Sequence, residues 1–172
     1  MTKSEAFLAQ ARSDFYVFEL LLQQDRDQVP ACHPGHYLQM SMEKLAKAAL
    51  QRAGHDPGYT HEAFSLLRHH LKRRDVARAL GYPNFTTFRD FLDRSARLFY
   101  QIECLHPDVP KNSSGPNVEY PWETRDASLV MLWQPPAAEE FSVLKELQGS
   151  SDGAQLIATI RLLLERFDAV FP

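Results

Sequence analysis

Cysteine is scarce in this chain of 172 residues, and the two that it has, Cys32 and Cys104, form no C-x-x-C pair. This excludes a disulfide framework and a cysteine-rich zinc finger, and it is typical of free thiols in a reducing compartment. Glycine is also scarce, and none of the 7 glycines lies in a phosphate-binding loop, a dinucleotide-binding turn or a nucleophile elbow. The sequence therefore lacks the usual motifs of nucleotide-hydrolysing and serine-hydrolase enzymes.

Long apolar runs are missing as well. The longest candidate, YVFELLL, is interrupted by Glu19 and is far shorter than the ~20 residues that cross a bilayer. The polar N-terminus does not resemble a secretory signal. The net charge of −3 gives no overall basic excess, which argues against a dedicated nucleic-acid binder. We expect a cytoplasmic protein with no membrane segment, folded as a single domain over residues 1–172.

Apolar residues recur mostly at helical spacing, which is the strongest signal that the sequence does contain. The first helix is predicted to start at a Thr2-x-x-Glu5 capping box. The second is predicted to run from about His36 to Gly54, where glycine is typical of a helix C-terminus. The later helices bring the total to about five to six. Because the first connections are short, the sequence predicts an all-α fold that forms an antiparallel helical bundle.

The later helices are less regular. The third is predicted to start near Thr60 and to bend or break within residues 68–75, where apolar positions thin out. The fourth is predicted to begin at Asn84 or a following Thr. The fifth is expected over about 137–147, and the sixth from Asp152. The predicted core stripe of the fourth helix is Phe88, Leu92, Ser95, Phe99 and Ile102.

A proline-rich segment, residues 107–136, separates the fourth and fifth helices and holds six of the 11 prolines. A structureless loop of this length is unusual inside a compact domain. Its NVEYPWE and SLVMLWQ stretches are rich in β-branched and aromatic residues, so we expect a short β-hairpin or an extended insertion near 117–135.

Three charged residues, Glu43, Lys44 and Lys47, interrupt the apolar pattern of the second helix. Glu43 and Lys47 are four residues apart with the acid first, which is the favourable order for a helical ion pair. Because an unpaired buried charge is very costly, we expect these groups to neutralise one another, with Asp14 and His61 as further members. The first interpretation is a network that fixes helix register, and the second is a ligand-binding site at these five residues.

The segment RHHLKRRDVAR carries five cations against one acid. Charge runs of this kind are usually solvated helix faces, which is the first interpretation. The second is a phosphate-binding surface with salt-sensitive affinity. No aromatic residue lies between the cations, so a platform for stacking bases is not indicated. The candidate phosphate contacts are Arg68, Lys72, Arg73 and Arg74.

A short CHPGH stretch brings Cys32, His33 and His36 together. A zinc site would need a further ligand in suitable geometry. We interpret the stretch as a connection between helices, and we expect no metal and no cofactor.

Four segments together resemble the HEPN family of helical bundles: ARSD, ending at Asp14; MEKLAKA, from Met42; THEAF, from Thr60; and NVEYPW, residues 117–122. The resemblance extends over about residues 6–167. It implies an antiparallel bundle, a homodimer, and roles in RNA processing, toxin–antitoxin or defence systems. The partners that it implies are a nucleotide, an RNA or another protein.

Many HEPN proteins resemble metal-independent ribonucleases in which an Arg precedes a His by about four to six residues. In that chemistry the His moves a proton and the Arg stabilises the developing charge of the phosphate. This chain departs from that pattern, so no catalytic residue is predicted. We expect a non-catalytic binding module; the alternatives are a ribonuclease of this type and a structural domain that works beside a separate nucleotidyltransferase. Eight residues separate Arg97 from His106 and Arg52 from His61, and six, including Pro30, separate Arg26 from His33.

Overall fold

The computed structural model describes residues 1–24, 29–55, 63–106 and 142–172, with Val109, Val118 and the backbone of two short strands. The described part is mostly helical, so the predicted all-α class is confirmed. It contains nine helices, more than the five to six predicted, because several predicted helices are divided. They are α1 (Lys3–Leu22), α2 (Cys32–Arg52), α3 (Ala63–Leu71), α4 (Arg74–Ala79), α5 (Phe85–Arg94), α6 (Ala96–Glu103), α7 (Ser142–Gly149), α8 (Ser151–Glu165) and α9 (Phe167–Val170).

The start of α1 is the predicted capping box. The backbone N–H of Glu5 donates to the Thr2 hydroxyl at 3.2 Å, and the backbone N–H of Thr2 donates to the Glu5 carboxylate at 2.6 Å. Two N–H groups that a helix start leaves free are thus satisfied by side chains. The pKa of Glu5 is lowered, chiefly by this backbone hydrogen bond.

Two side-chain hydrogen bonds fix how α1 packs against α2. The Ser4 hydroxyl donates to the carbonyl of Ala48 at 2.9 Å, and the Ser41 hydroxyl donates to the carbonyl of Ala11 at 2.8 Å. Because the later residue on α1 meets the earlier one on α2, the two helices run antiparallel. Small side chains at these positions let the backbones approach, and both serines are buried.

The second helix, α2, is central, since it contacts α1, α3 and α6. It begins at Cys32, four residues earlier than predicted, and Pro34 lies in its first turn, where a proline costs no helical hydrogen bond. The CHPGH stretch is therefore helical, and its interpretation as a connection was wrong. The predicted end is confirmed: Gly54 adopts a φ of 80°, and the N–H of His55 donates to Leu50 at 2.9 Å.

Helix breaks account for the larger helix count. The predicted break in the third helix is confirmed at Lys72–Arg73, and Asn84 caps α5 as predicted. The predicted fourth helix, however, is divided at Ser95, whose ψ of −3° departs from the helical value of about −42°. The predicted sixth helix is capped by Ser150, not Asp152, and it ends before Arg166. Apolar periodicity continues through Ser95, so no pattern in the sequence indicates that break.

Two side-chain pairs connect elements that are distant in the sequence. The rings of Phe64 and Phe99 stack at 4.3 Å between α3 and α6, and the Tyr82 hydroxyl lies 2.6 Å from that of Thr159 on α8. The predicted stripe of α5 and α6 is fully buried. The Glu103 carboxylate accepts a hydrogen bond from the backbone N–H of Ser65 at 2.6 Å, which ties the end of α6 to the start of α3.

Two strands of two residues, β1 (Trp122–Glu123) and β2 (Leu129–Val130), pair antiparallel. The residues between them, and most of the proline-rich segment 107–136, lie outside the described residues, as do Thr60 and His61. None of the helices in the described ranges is long and apolar enough to span a membrane.

Candidate functional site

Glu43 and Lys47 form a buried ion pair on α2. The Lys47 ammonium lies 2.7 Å from Oε1 of Glu43, and the two side chains are only 9% and 3% exposed. Lys44 donates to the same oxygen at 3.1 Å from a more open position, with 19% of its side chain exposed. The predicted association of the three charges is therefore present, and one carboxylate serves two ammonium groups.

Gln39 lies one turn before Glu43 on α2 and is a further hydrogen-bond donor to its carboxylate. Its amide nitrogen donates to Oε2 of Glu43 at 3.1 Å, so the two carboxylate oxygens receive different donors. Positions 39, 43 and 47 follow one another at helical spacing, which aligns their side chains along α2. Gln39 was missed in the sequence, although its spacing of four residues from Glu43 is a usable signal.

Asp14 belongs to the same surface from the α1 side. The antiparallel register places it opposite Leu38, and Nε2 of Gln10 donates to its Oδ1 at 2.7 Å. Burial raises the pKa of Asp14, while the Gln10 hydrogen bond and the charges of Lys44 and His36 lower it in part. Lys44 therefore lies between two carboxylates, bonded to that of Glu43 and attracted to that of Asp14.

We call these six residues the polar strip: Asp14, His36, Gln39, Glu43, Lys44 and Lys47. Three of its buried atoms have no hydrogen-bond partner, namely Oδ2 of Asp14, Nδ1 of His36 and Oε1 of Gln39. Asp14 is 6% exposed and Gln39 is 2% exposed. Leaving such atoms unpaired costs ~1–3 kcal/mol each, so the polar strip has unused capacity to accept hydrogen bonds.

The cations of the basic segment lie elsewhere, on α3, on α4 and in the break between them, and the protein itself supplies partners for them. Arg68 and Lys72 both contact Asp93 of α5, and Arg73 pairs with Asp75. The hydrogen bond from Lys72 is the main cause that lowers the pKa of Asp93. Arg74 lies 5.4 Å from the centre of the Phe85 ring. A phosphate would therefore have to compete with existing carboxylates for at least three of the four candidate contacts.

The arginines of the two widely spaced Arg/His pairs are held by carboxylates. Nη2 of Arg97 lies 2.5 Å from Glu146, and Nη2 of Arg52 lies 2.9 Å from Asp168. His106 is buried, with 8% of its surface exposed. His61, predicted as a member of the network, lies outside the described residues.

The described ranges contain two free cysteines, Cys32 and Cys104. No group of three or more His, Cys, Asp or Glu side chains there is placed to hold a metal ion. Cys32 is buried, and burial raises the pKa of its thiol, which disfavours the reactive thiolate.

Comparison of the chain with protein-family models, with curated proteins and with solved structures finds no match. The resemblance to HEPN proteins therefore rests on the sequence motifs alone.

Proposed function

We propose that this chain is a non-catalytic binding module, an antiparallel bundle of the HEPN type, whose ligand is a nucleotide, free or as a unit of RNA. The polar strip is the contact surface in this proposal. The observation that carries it is the combination of a buried, unpartnered carboxylate oxygen on Asp14 with the neighbouring, partly exposed ammonium of Lys44.

The free atoms of the polar strip define the chemistry of the ligand. Oε1 of Gln39, and Oδ2 of Asp14 while that carboxyl is ionised, can only accept hydrogen bonds, so they require a donor such as the amino group of a base. Lys44 can exchange part of its contact with Glu43 for a phosphate, because Lys47 still neutralises the Glu43 carboxylate. A nucleotide carries both groups in one molecule.

The ion pairs that Arg52 and Arg97 already form support binding without cleavage. A ribonuclease of the Arg/His type needs a guanidinium free to stabilise the phosphate as charge develops. Arg52 and Arg97 are already paired with carboxylates, and the sequence spacing departs from the catalytic pattern.

Equilibrium binding tests the proposal. Fluorescently labelled single-stranded RNA and labelled mononucleotides are titrated with the protein in EDTA and followed by anisotropy. We expect Lys44→Met to weaken binding at least about fivefold, which is ~1 kcal/mol of binding free energy. Lys3→Met removes the same charge from an exposed position at the start of α1 and should leave the affinity within about twofold.

The same samples test the absence of catalysis. Structured and single-stranded RNA should remain intact in EDTA at the end of the titration. Cleavage that yields a 2′,3′-cyclic phosphate and disappears in His33→Ala or His61→Ala protein would establish the ribonuclease alternative. Absence of any binding to RNA or nucleotide would instead favour the structural domain that works beside another enzyme.

A further inference from the structure

Two acceptor oxygens of the polar strip are set by hydrogen bonds that each side chain makes one turn away on its own helix. On α1, Nε2 of Gln10 donates to Oδ1 of Asp14 at 2.7 Å, which leaves Oδ2 as the unpartnered oxygen. On α2, Nε2 of Gln39 donates to Oε2 of Glu43 at 3.1 Å, which leaves Oε1 of Gln39 unpartnered. Each side chain is therefore left with one defined acceptor atom.

The orientation of the Gln39 amide follows from its partner. A carboxylate only accepts hydrogen bonds, so the amide must turn its nitrogen towards Glu43 and its oxygen away from it. The other carboxylate oxygen of Glu43 already accepts from Lys44 and Lys47. The Gln39 amide is thus held with an acceptor, and not a donor, free for a further partner.

Both oxygens belong to buried side chains in the same part of the contact between α1 and α2. Asp14 is 6% exposed and Gln39 is 2% exposed. The antiparallel register places Asp14 opposite Leu38, which directly precedes Gln39. A buried acceptor without a donor is costly, so a ligand that supplies donors here gains affinity. The third unpartnered atom, Nδ1 of His36, donates or accepts according to its tautomer and does not discriminate between bases.

Two acceptors select a base by the donor hydrogens that it offers. The exocyclic amino group of adenine, cytosine or guanine carries two hydrogens. Hypoxanthine and uracil have a carbonyl oxygen in place of the amino group of adenine and cytosine, and beside it they offer a single ring N–H. A carbonyl oxygen placed against Oδ2 of Asp14 or Oε1 of Gln39 would oppose one acceptor with another, and both would stay unpaired.

We infer that the polar strip prefers nucleotides whose base carries an exocyclic amino group over nucleotides of uracil and hypoxanthine. This inference rests on the proposed function, because it concerns the base of the same nucleotide ligand. The ionised carboxylate of Asp14 and the amide oxygen of Gln39 accept hydrogen bonds from the amino group. The partly exposed ammonium of Lys44 contacts the phosphate, which is the same in every nucleotide and gives no preference.

Calorimetric titration with matched nucleotides tests the preference. Adenosine and inosine monophosphate differ by the exchange of an amino group for a carbonyl, as do cytidine and uridine monophosphate, while ribose and phosphate are unchanged. A pH of about 8, above the ordinary pKa of an aspartate, favours the ionised form of Asp14. The adenine and cytosine nucleotides should bind at least about tenfold more tightly than their carbonyl counterparts, as expected for a base edge read by hydrogen bonds.

Asp14→Asn changes one of the two acceptors into a donor. Because Gln10 donates to Oδ1, the new amide keeps its oxygen there and places its nitrogen at the position of Oδ2. The affinity ratio within each nucleotide pair should therefore fall at least about threefold. Gln39→Met removes the other acceptor and should lower the same ratio. Asp90→Asn makes the matched change at an exposed residue of α5 and should leave the ratio unaltered.

The outcomes separate this inference from the proposed function. Far-UV circular dichroism shows that each variant remains folded. Equal affinity for the two members of each pair, or a preference that Asp14→Asn leaves unchanged, overturns the inference while nucleotide binding itself stands. A protein that binds none of the four nucleotides overturns the inference and the proposed function together.

Discussion

The ammonium of Lys47 lies 2.7 Å from Oε1 of Glu43, one turn away on α2, and both side chains are buried. Such a pair is costly to break, because removing one partner leaves the other charge buried without compensation. The pair also determines how Lys44 behaves, since Glu43 does not depend on Lys44 for its neutralisation. The stability of α2 and the availability of Lys44 to a ligand therefore follow from the same contact.

Glu43→Ala should lower the free energy of unfolding by ~1–3 kcal/mol, because Lys47 then remains buried without its carboxylate. Chemical denaturation measures the change. Asp90→Ala removes an acid from an exposed pair with Arg89 and should alter stability by less than ~0.5 kcal/mol. A Glu43→Ala protein as stable as wild type would show that the pair contributes nothing. In the Glu43→Gln, Lys47→Met double variant, much of the loss should be recovered, since no buried charge is then left unpaired and Lys44 is partly exposed to water.

Asp14→Asn should raise the melting temperature near neutral pH. Burial raises the pKa of Asp14, so the ionised carboxylate is disfavoured in the folded protein, and its cost is fully present above the folded-state pKa. As the pH falls through that value towards ~3.9, the pKa of an unperturbed Asp, the wild-type protein should regain this stability. The difference in melting temperature between Asp14→Asn and the wild-type protein should therefore become smaller as the pH falls. A constant difference across this range would contradict the proposed desolvation of Asp14.

Gly153→Ala should destabilise the α7–α8 corner by ~1–3 kcal/mol through overpacking. A Cβ at Gly153 would lie 2.5 Å from the carbonyl oxygen of Glu146 and from Cα of Leu147, both backbone atoms that cannot rotate away. Gly149→Ala is the control, because a Cβ there meets nothing within 4 Å and alanine favours the helix by up to ~1 kcal/mol. Thermal unfolding measures both effects. The melting temperature should fall in Gly153→Ala, and it should rise or stay unchanged in Gly149→Ala.

Asp93→Asn should strengthen retention on heparin and weak binding to RNA, because it releases Arg68 and Lys72 from their carboxylate partner. The added affinity should be lost as salt rises, as expected for phosphate contacts. Salt-gradient elution from heparin measures the effect, and Asp90→Asn removes the same charge nearby as a control. Unchanged elution of Asp93→Asn would show that these cations do not form a latent phosphate surface.

Local signals in the sequence predicted the local features of the fold. The Thr2–Glu5 capping box, Gly54 at the end of α2 and Asn84 at the start of α5 depend on neighbouring residues, and all three are confirmed. The break at Ser95 was not predictable, because that position continues a regular apolar stripe although its ψ of −3° ends α5.

The contacts of the candidate residues also include local ones, which the sequence predicted, and contacts between helices, which it did not. The contacts of Glu43 with Lys44 and Lys47 lie within one turn of α2, so helical spacing predicted them. The partner that the structure gives Asp14 is Gln10 on its own helix, and Asp93 meets Lys72 from 21 residues away. The contact between Asp93 and Lys72 depends on how the helices pack, which apolar periodicity alone does not determine.

Mapping ligand contacts along the backbone shows whether a nucleotide binds at the polar strip. Two-dimensional ¹H–¹⁵N spectra are recorded during titration with single-stranded RNA or a mononucleotide, in EDTA. The proposed function predicts that the largest shift changes cluster at Asp14 and at residues 36–47 of α2. Changes that instead cluster on α3 and α4, or a spectrum that no nucleotide alters, would contradict the assignment of the polar strip as the ligand-binding surface.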